Sequence, residues 1–222
     1  DMMNFQNGAA LATDDGIQVD YVKVADDIAV EDSLYTVGRR GVAGTVFVHK
    51  IAGAAAAQGY ELARVKEIAQ KAADNVTSLG FAFSSCTVPA KGTPTFTLAD
   101  DEMEYGVGIH GEPGIRREKI LPSQQLAQRI IDDLLKDRPH LSEVAVLING
   151  FGATPMQELY LFNQDVCQYL AKKGITIYRT FVGNYMTSID MAGASVSLLA
   201  LDDELKTYLD AKANTPAFKM DG

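Results

Sequence analysis

Apolar positions along this chain switch repeatedly between a period near 3.6 and a period of 2, the signature of amphipathic helices alternating with strands. Asp1 reads as the N-cap of a helix over residues 1–13, ended by Asp14-Asp15-Gly16. Residues 17–24 alternate apolar and polar side chains as a half-buried strand does. An acidic loop over 26–36 leads to Gly38-Arg39-Arg40-Gly41. That tetrapeptide opens an alanine-rich helix over 42–57, apolar enough to need burial on most sides. A second helix is predicted over 62–78, from Leu62, Val65, Ile68, Ala69, Ala72 and Val76.

The character changes after Leu79-Gly80. Residues 81–86, 96–98 and 102–109 read as strands, and 122–136 as an amphipathic helix. EVAVLIN, residues 143–149, is a buried strand, followed by a turn and a helix reaching about Lys173. Strands over 175–182 and 195–201 and a helix over 202–211 complete the pattern. Alternating elements of this kind predict an α/β class with layered, mixed sheets. A boundary near residues 76–80 divides the chain into a first unit, 1–78, and a second α/β domain, 79–212, followed by a tail, 213–222, that returns to the first. The first unit is too small to be a whole α/β domain. The chain also opens on helical periodicity without an initiator methionine, so part of that domain is expected to precede residue 1, and helix 42–57 to need it for cover.

Composition narrows the chemistry. The chain has 222 residues, of which 47% are hydrophobic and 22% charged, with a net charge of −9. That acidity argues against nucleic acid and anionic membrane surfaces as partners. Two cysteines, Cys86 and Cys167, lie far apart without a CxxC, so neither a disulfide framework nor a zinc site is expected. No apolar run reaches the ~18 residues of a membrane span. A cytoplasmic protein fits these features.

MEYGVGIHGEPGIRR, residues 103–117, contains G-x-G-x-x-G at Gly106, Gly108 and Gly111. A dinucleotide site needs a helix to open at the last glycine, whereas Glu112-Pro113-Gly114 is turn chemistry. The alternative is His110, one of three histidines, raised in a glycine-rich turn where a ligand can approach closely and Glu112 can orient the ring. A mostly neutral imidazole there can serve as general base, metal ligand or nucleophile, or it can simply hydrogen-bond within the turn. His49, in the apolar helix, reads as structural, and His140 as a solvated loop residue. Gly38-Arg39-Arg40-Gly41 is either a helix-start anion site or an arginine pair bound to the acidic loop 26–32, with the second reading favoured. Asn149-Gly150-Phe151-Gly152 and the segment 183–188 are strand-end loops of the kind that line crevices. No G-x-x-x-x-G-K-[ST] occurs, so no P-loop supports nucleotide binding in this chain.

The chain resembles the substrate-binding K subunits of dihydroxyacetone kinases over essentially its whole length. The likeness rests on DMMNF at 1–5, VEDSLYTVGRRGVAGTVFVHKIAGAAA at 30–56 and SSCTVPAKGTPTFTLADDEMEYGVGIHGEPGIRR at 84–117. It continues through LINGFGATPMQELY at 147–160, VGNYMTSIDMAG at 182–193 and TPAF at 215–218. The resemblance implies that dihydroxyacetone is phosphorylated while its carbonyl carbon is held as a hemiaminal on His110. Asp1 matches the family's substrate-contacting aspartate. It implies no cofactor in this chain, with ADP or ATP and magnesium on a partner L subunit served by the phosphotransferase system, and a homodimer. An earlier family segment, with a Gly-Gly-Gly-Ser-Gly-His-Glu-Pro loop and a second catalytic histidine, is absent from this sequence, so the fragment alone is expected to be inactive. A non-catalytic dihydroxyacetone-binding paralogue that signals to a transcription regulator is the alternative.

Overall fold

A computed structural model describes residues 2–31 and 38–221. Helix α1 (Met2–Asp14) buries none of its residues. The remaining elements follow in the order α2 (Thr45–Ala57), α3 (Leu62–Asp74), β1 (Val76–Ala82), β2 (Glu102–Tyr105), β3 (Arg116–Lys119), α4 (Ser123–Asp137) and β4 (Glu143–Gly150). The chain continues through α5 (Met156–Lys172), β5 (Thr176–Gly183), β6 (Gly193–Ala200), α6 (Asp203–Asp210), β7 (Ala213–Asn214) and β8 (Lys219–Met220). Six strands form one mixed sheet in the order β3-β2-β1-β6-β4-β5. Only β4 and β5 pair in parallel, and α5 supplies the crossover such a pair requires. Strand β6 comes late in the chain yet lies between β1 and β4, antiparallel to both.

Period-2 alternation gives the sheet two apolar faces. Val144, Val146 and Ile148 of β4 point into a core with α4 and α5, built on Ile130, Leu134 and Val166. Ala145 and Leu147 of the same strand point the other way, against Phe47, Ile51 and Ile68 of α2 and α3 and against α6. β1, β4 and β6 are thus buried almost throughout. The boundary read at residues 76–80 coincides with β1, an interior strand, and residues from both sides of it share the second core. Phe218 in the tail packs against Phe181 and Tyr185, with ring centroids at 5.5 and 5.7 Å.

Several expected elements differ. Residues 17–24 form no strand: Ile17, Val19 and Tyr21 are exposed, while Val22 and Val24 pack against the second core. Alternation supplies the faces of a strand but not the neighbour whose backbone completes a ladder. The helix expected over 62–78 stops at Asp74, because Val76 and Thr77 enter the sheet. Residues 96–98 are loop, and the strand expected over 102–109 ends at Tyr105. β3, an exposed Arg-Arg-Glu-Lys edge, carries no apolar signal. His49, expected to be structural, faces outward from α2, and the buried polar residue there is Lys50, whose ammonium donates to the Tyr208 carbonyl at 2.7 Å. No helix among the described residues is long and apolar enough to cross a membrane.

Candidate functional site

His110 sits on the loop 106–115 that joins β2 to β3 in an antiparallel hairpin. The strand that follows, in place of a helix, removes the structural condition for a dinucleotide fingerprint. The base of the loop is braced. Ile115 N donates to the Tyr105 carbonyl at 2.8 Å, and Gly106 N to Gly80 of β1 at 2.7 Å. Tyr105 is buried, donates its hydroxyl to Asp133 at 2.8 Å, and is covered by the guanidinium groups of Arg116 and Arg129, 4.6 and 4.9 Å from its ring centre. Glu104 accepts from Gly114 N at 3.0 Å.

At the tip the glycines serve close approach. Gly111 has φ +77°, and a Cβ there would lie 2.5 Å from Cys86 Sγ. A Cβ on Gly108 would lie 2.5 Å from Glu112 Oε2 and 2.8 Å from Arg40 Nη1. Glu112 therefore folds back under the turn, where Oε2 accepts from His110 N at 3.0 Å and Oε1 lies 3.5 Å from His110 Nδ1. The histidine side chain is 65% exposed and the glutamate 23%. The Glu112 carboxylate raises the His110 pKa above its ordinary value, against a smaller opposing effect of burial. Burial pushes Glu112 upward, but its contacts with His110 and with backbone N–H groups prevail and hold it at about 2.

Arg40 clamps the root of the same loop. Its Nε and Nη2 reach Asp27 Oδ2 at 2.8 and 2.7 Å, and Nη2 also donates to the Gly106 carbonyl at 2.9 Å. Burial pushes Asp27 up to about 6, offset only in part by Arg40. The neighbouring Asp26 is fully buried and accepts from Val42 N at 2.7 Å and Gly44 N at 2.8 Å. The anion position before α2 is therefore filled by the chain's own carboxylate. Of the arginine pair, Arg40 binds the acidic loop as expected, whereas Arg39 binds Asp137 at the end of α4, 2.7 Å away. Asp27 and Arg40 are 13 residues apart in sequence, and their contact ties the 26–31 segment to the tetrapeptide.

The two strand-end loops meet. Asn149 Oδ1 accepts from Tyr185 N and Met186 N at 3.0 and 2.8 Å, and its Nδ2 donates to the Met186 carbonyl at 2.8 Å. Phe151 packs with Cys86, Val107 and Met191, and Asp190 accepts from Thr87 N at 2.7 Å. These contacts join the 184–191 loop to the floor of the His110 turn. Asp1 lies outside the described residues. His49 and His140 are exposed on α2 and on the loop before β4. The sequence reading missed Thr95, and missed Ser85 and Cys86, which it placed at the end of a strand; all three support the turn. No group of three or more His, Cys, Asp or Glu side chains that could hold a metal occurs among the described residues.

With this geometry in place, comparison with known proteins is specific. The family model described as the Dak1 domain matches residues 1–217. The chain is 52% identical, over 206 residues, to the dihydroxyacetone-binding subunit of PTS-dependent dihydroxyacetone kinase 1 of Listeria innocua serovar 6a, covering 92% of this chain and 63% of that relative. It thus spans somewhat less than two thirds of that relative's length. Among solved structures, a dihydroxyacetone kinase from C. freundii in complex with AMP-PNP and Mg2+ superposes with a TM-score of 0.88 at 33% identity, covering 98% of this chain and 40% of its own. A dihydroxyacetone kinase operon co-activator superposes with a TM-score of 0.87 at 34% identity, covering 96% of this chain and 66% of its own.

Proposed function

Because the chain belongs to the Dak1 domain family, we propose that it is the dihydroxyacetone-binding part of a kinase that phosphorylates dihydroxyacetone, holding the ketone as a hemiaminal on His110. The observation that carries this reading is the pairing of an exposed imidazole with a recessed carboxylate on a braced loop. Glu112 on the Nδ1 side favours the Nδ1–H tautomer and leaves the lone pair on Nε2. That lone pair adds to the carbonyl carbon, the π electrons move to oxygen, and the oxygen takes up a proton. The ring becomes cationic as the bond forms, and the nearby carboxylate stabilises that charge until Nδ1 gives up its proton. A covalent tether holds a small polar ligand for which few contacts are available, and it fixes the hydroxyl for in-line phosphoryl transfer.

In this reading Asp1 contacts the substrate and accepts the reacting hydroxyl's proton. The phosphoryl group comes from a separate nucleotide-carrying L subunit with ADP or ATP and magnesium, and the protein works as a cytoplasmic homodimer. The 52% and 48% identities to dihydroxyacetone-binding subunits of PTS-dependent kinases support catalysis over the regulatory alternative. Calorimetric titration of the full natural chain with dihydroxyacetone and with glycerol, which lacks the electrophilic carbon, tests the tether. Dihydroxyacetone should bind much more tightly, and His110→Ala should abolish the difference. Equal affinity for the two ligands, or unchanged binding by His110→Ala, would overturn the proposal.

A further inference from the structure

We propose that Thr95, set in place by Ser85, is a positioning residue for His110; this inference rests on the reading of His110 as the ligand-bonding group. The two hydroxyls form a chain of hydrogen bonds whose direction can be worked out. Ser85 Oγ accepts from Thr95 N at 3.0 Å and from Phe96 N at 3.1 Å, which uses both its lone pairs. Its single proton then has two candidate acceptors: Thr95 Oγ1 at 2.7 Å and the Cys86 carbonyl at 3.2 Å. The shorter bond wins. Thr95 Oγ1 thus receives a proton, and its own proton is free for the Gly111 carbonyl, 2.9 Å away.

Gly111 directly follows His110, and its carbonyl belongs to the Gly111–Glu112 peptide, so this bond fixes the plane one residue beyond the histidine. Glu112 fixes the N-terminal side through His110 N. The space around Gly111 is equally constrained, since its missing Cβ would meet Cys86 Sγ at 2.5 Å and Thr95 Oγ1 at 3.0 Å. Side chains therefore hold the peptide before His110 and the peptide after Gly111, which brackets the histidine, and the ring's own two torsions are what Glu112 limits through Nδ1. Thr95→Val keeps the side-chain shape and removes the proton donor. Thr95→Ser keeps the donor and loses a methyl group.

The test uses the full natural chain and dihydroxyacetone labelled with 13C at its carbonyl carbon. Conversion of that carbon from trigonal to tetrahedral on binding reports the adduct itself, and thermal unfolding reports packing. Thr95→Val should lower the adduct's association constant roughly three- to tenfold, the effect of one net hydrogen bond. Its melting temperature should stay near that of the parent, and Thr95→Ser should restore adduct formation. Wild-type adduct formation by Thr95→Val would overturn the inference. So would a loss that follows the melting temperature and is not rescued by serine. His110→Ala is measured in parallel: if it still forms the tetrahedral species, the reading of His110 fails, whereas loss in His110→Ala with no effect of Thr95→Val fails the positioning role alone.

Discussion

Glu112 both orients His110 and limits the pH range in which it can act. Only the neutral ring adds to a carbonyl, and the carboxylate raises the ring's pKa, so ligand binding should weaken as pH falls through a value above the ordinary histidine range. Glu112→Gln removes that charge, and the acid limb of a binding-versus-pH curve should move to lower pH. An unmoved limb would mean that Glu112 does not govern the ring. The pair's effect on stability has a different window. A raised histidine contributes fully below its ordinary 6.5 and loses its effect as pH rises through the folded value. A depressed glutamate contributes above its ordinary 4.5 and loses its effect as pH falls towards about 2. The ion pair thus steadies the turn chiefly between about 4.5 and 6.5, where the ring is mostly charged and cannot bond a ketone. His110 was legible in the sequence because glycines and a turn surround it. Thr95 was not, because nothing local records which distant carbonyl a hydroxyl will meet.

At the level of elements, Arg40 joins the 26–31 segment to the β2–β3 hairpin. Its side chain is 10% exposed and that of Asp27 2%, so its removal leaves a buried carboxylate without a counter-ion. Arg40→Leu should cost about 3–5 kcal/mol at pH 8. Asp27 already sits at about 6 with Arg40 present, and without it the pKa climbs further. The neutral acid then predominates at pH 5, and the cost should shrink there. Urea unfolding at the two pH values checks this, and an equal cost at both would contradict it. The helices α4 and α5 were readable because each places apolar residues on one face. The segment 17–24 had the alternation of a strand and lacked its ladder, while β3 had the ladder and lacked the alternation. Pairing is a property of two segments, so a pattern read along one segment does not contain it.

For the whole molecule, apolar exposure is concentrated in and after α1, where Met3, Phe5, Leu11 and Ile17 are each more than half exposed. The 222-residue chain by itself should therefore bind a hydrophobic dye, and Phe5→Ser with Leu11→Ser should reduce that signal. Dye binding unaffected by this double change would place the apolar surface elsewhere. The proposed division of labour with a nucleotide-carrying partner is also tested at this scale. The full natural chain with ATP and dihydroxyacetone should show no turnover until the partner is added, and robust turnover without it would refute that division.

The position of β6 has a consequence for how the protein is made. It is stitched between β1 and β4, so a chain emerging from the ribosome N-terminus first has its sheet in two pieces. The piece β3-β2-β1, which carries the His110 hairpin, and the piece β4-β5 are joined only when residues 193–200 appear. Until then β1 and β4 each present an open, apolar edge to other nascent chains. A ribosome stalled before residue 193 should therefore hold a chain prone to associate with its neighbours, and release of one more strand should end that hazard by closing both edges at once.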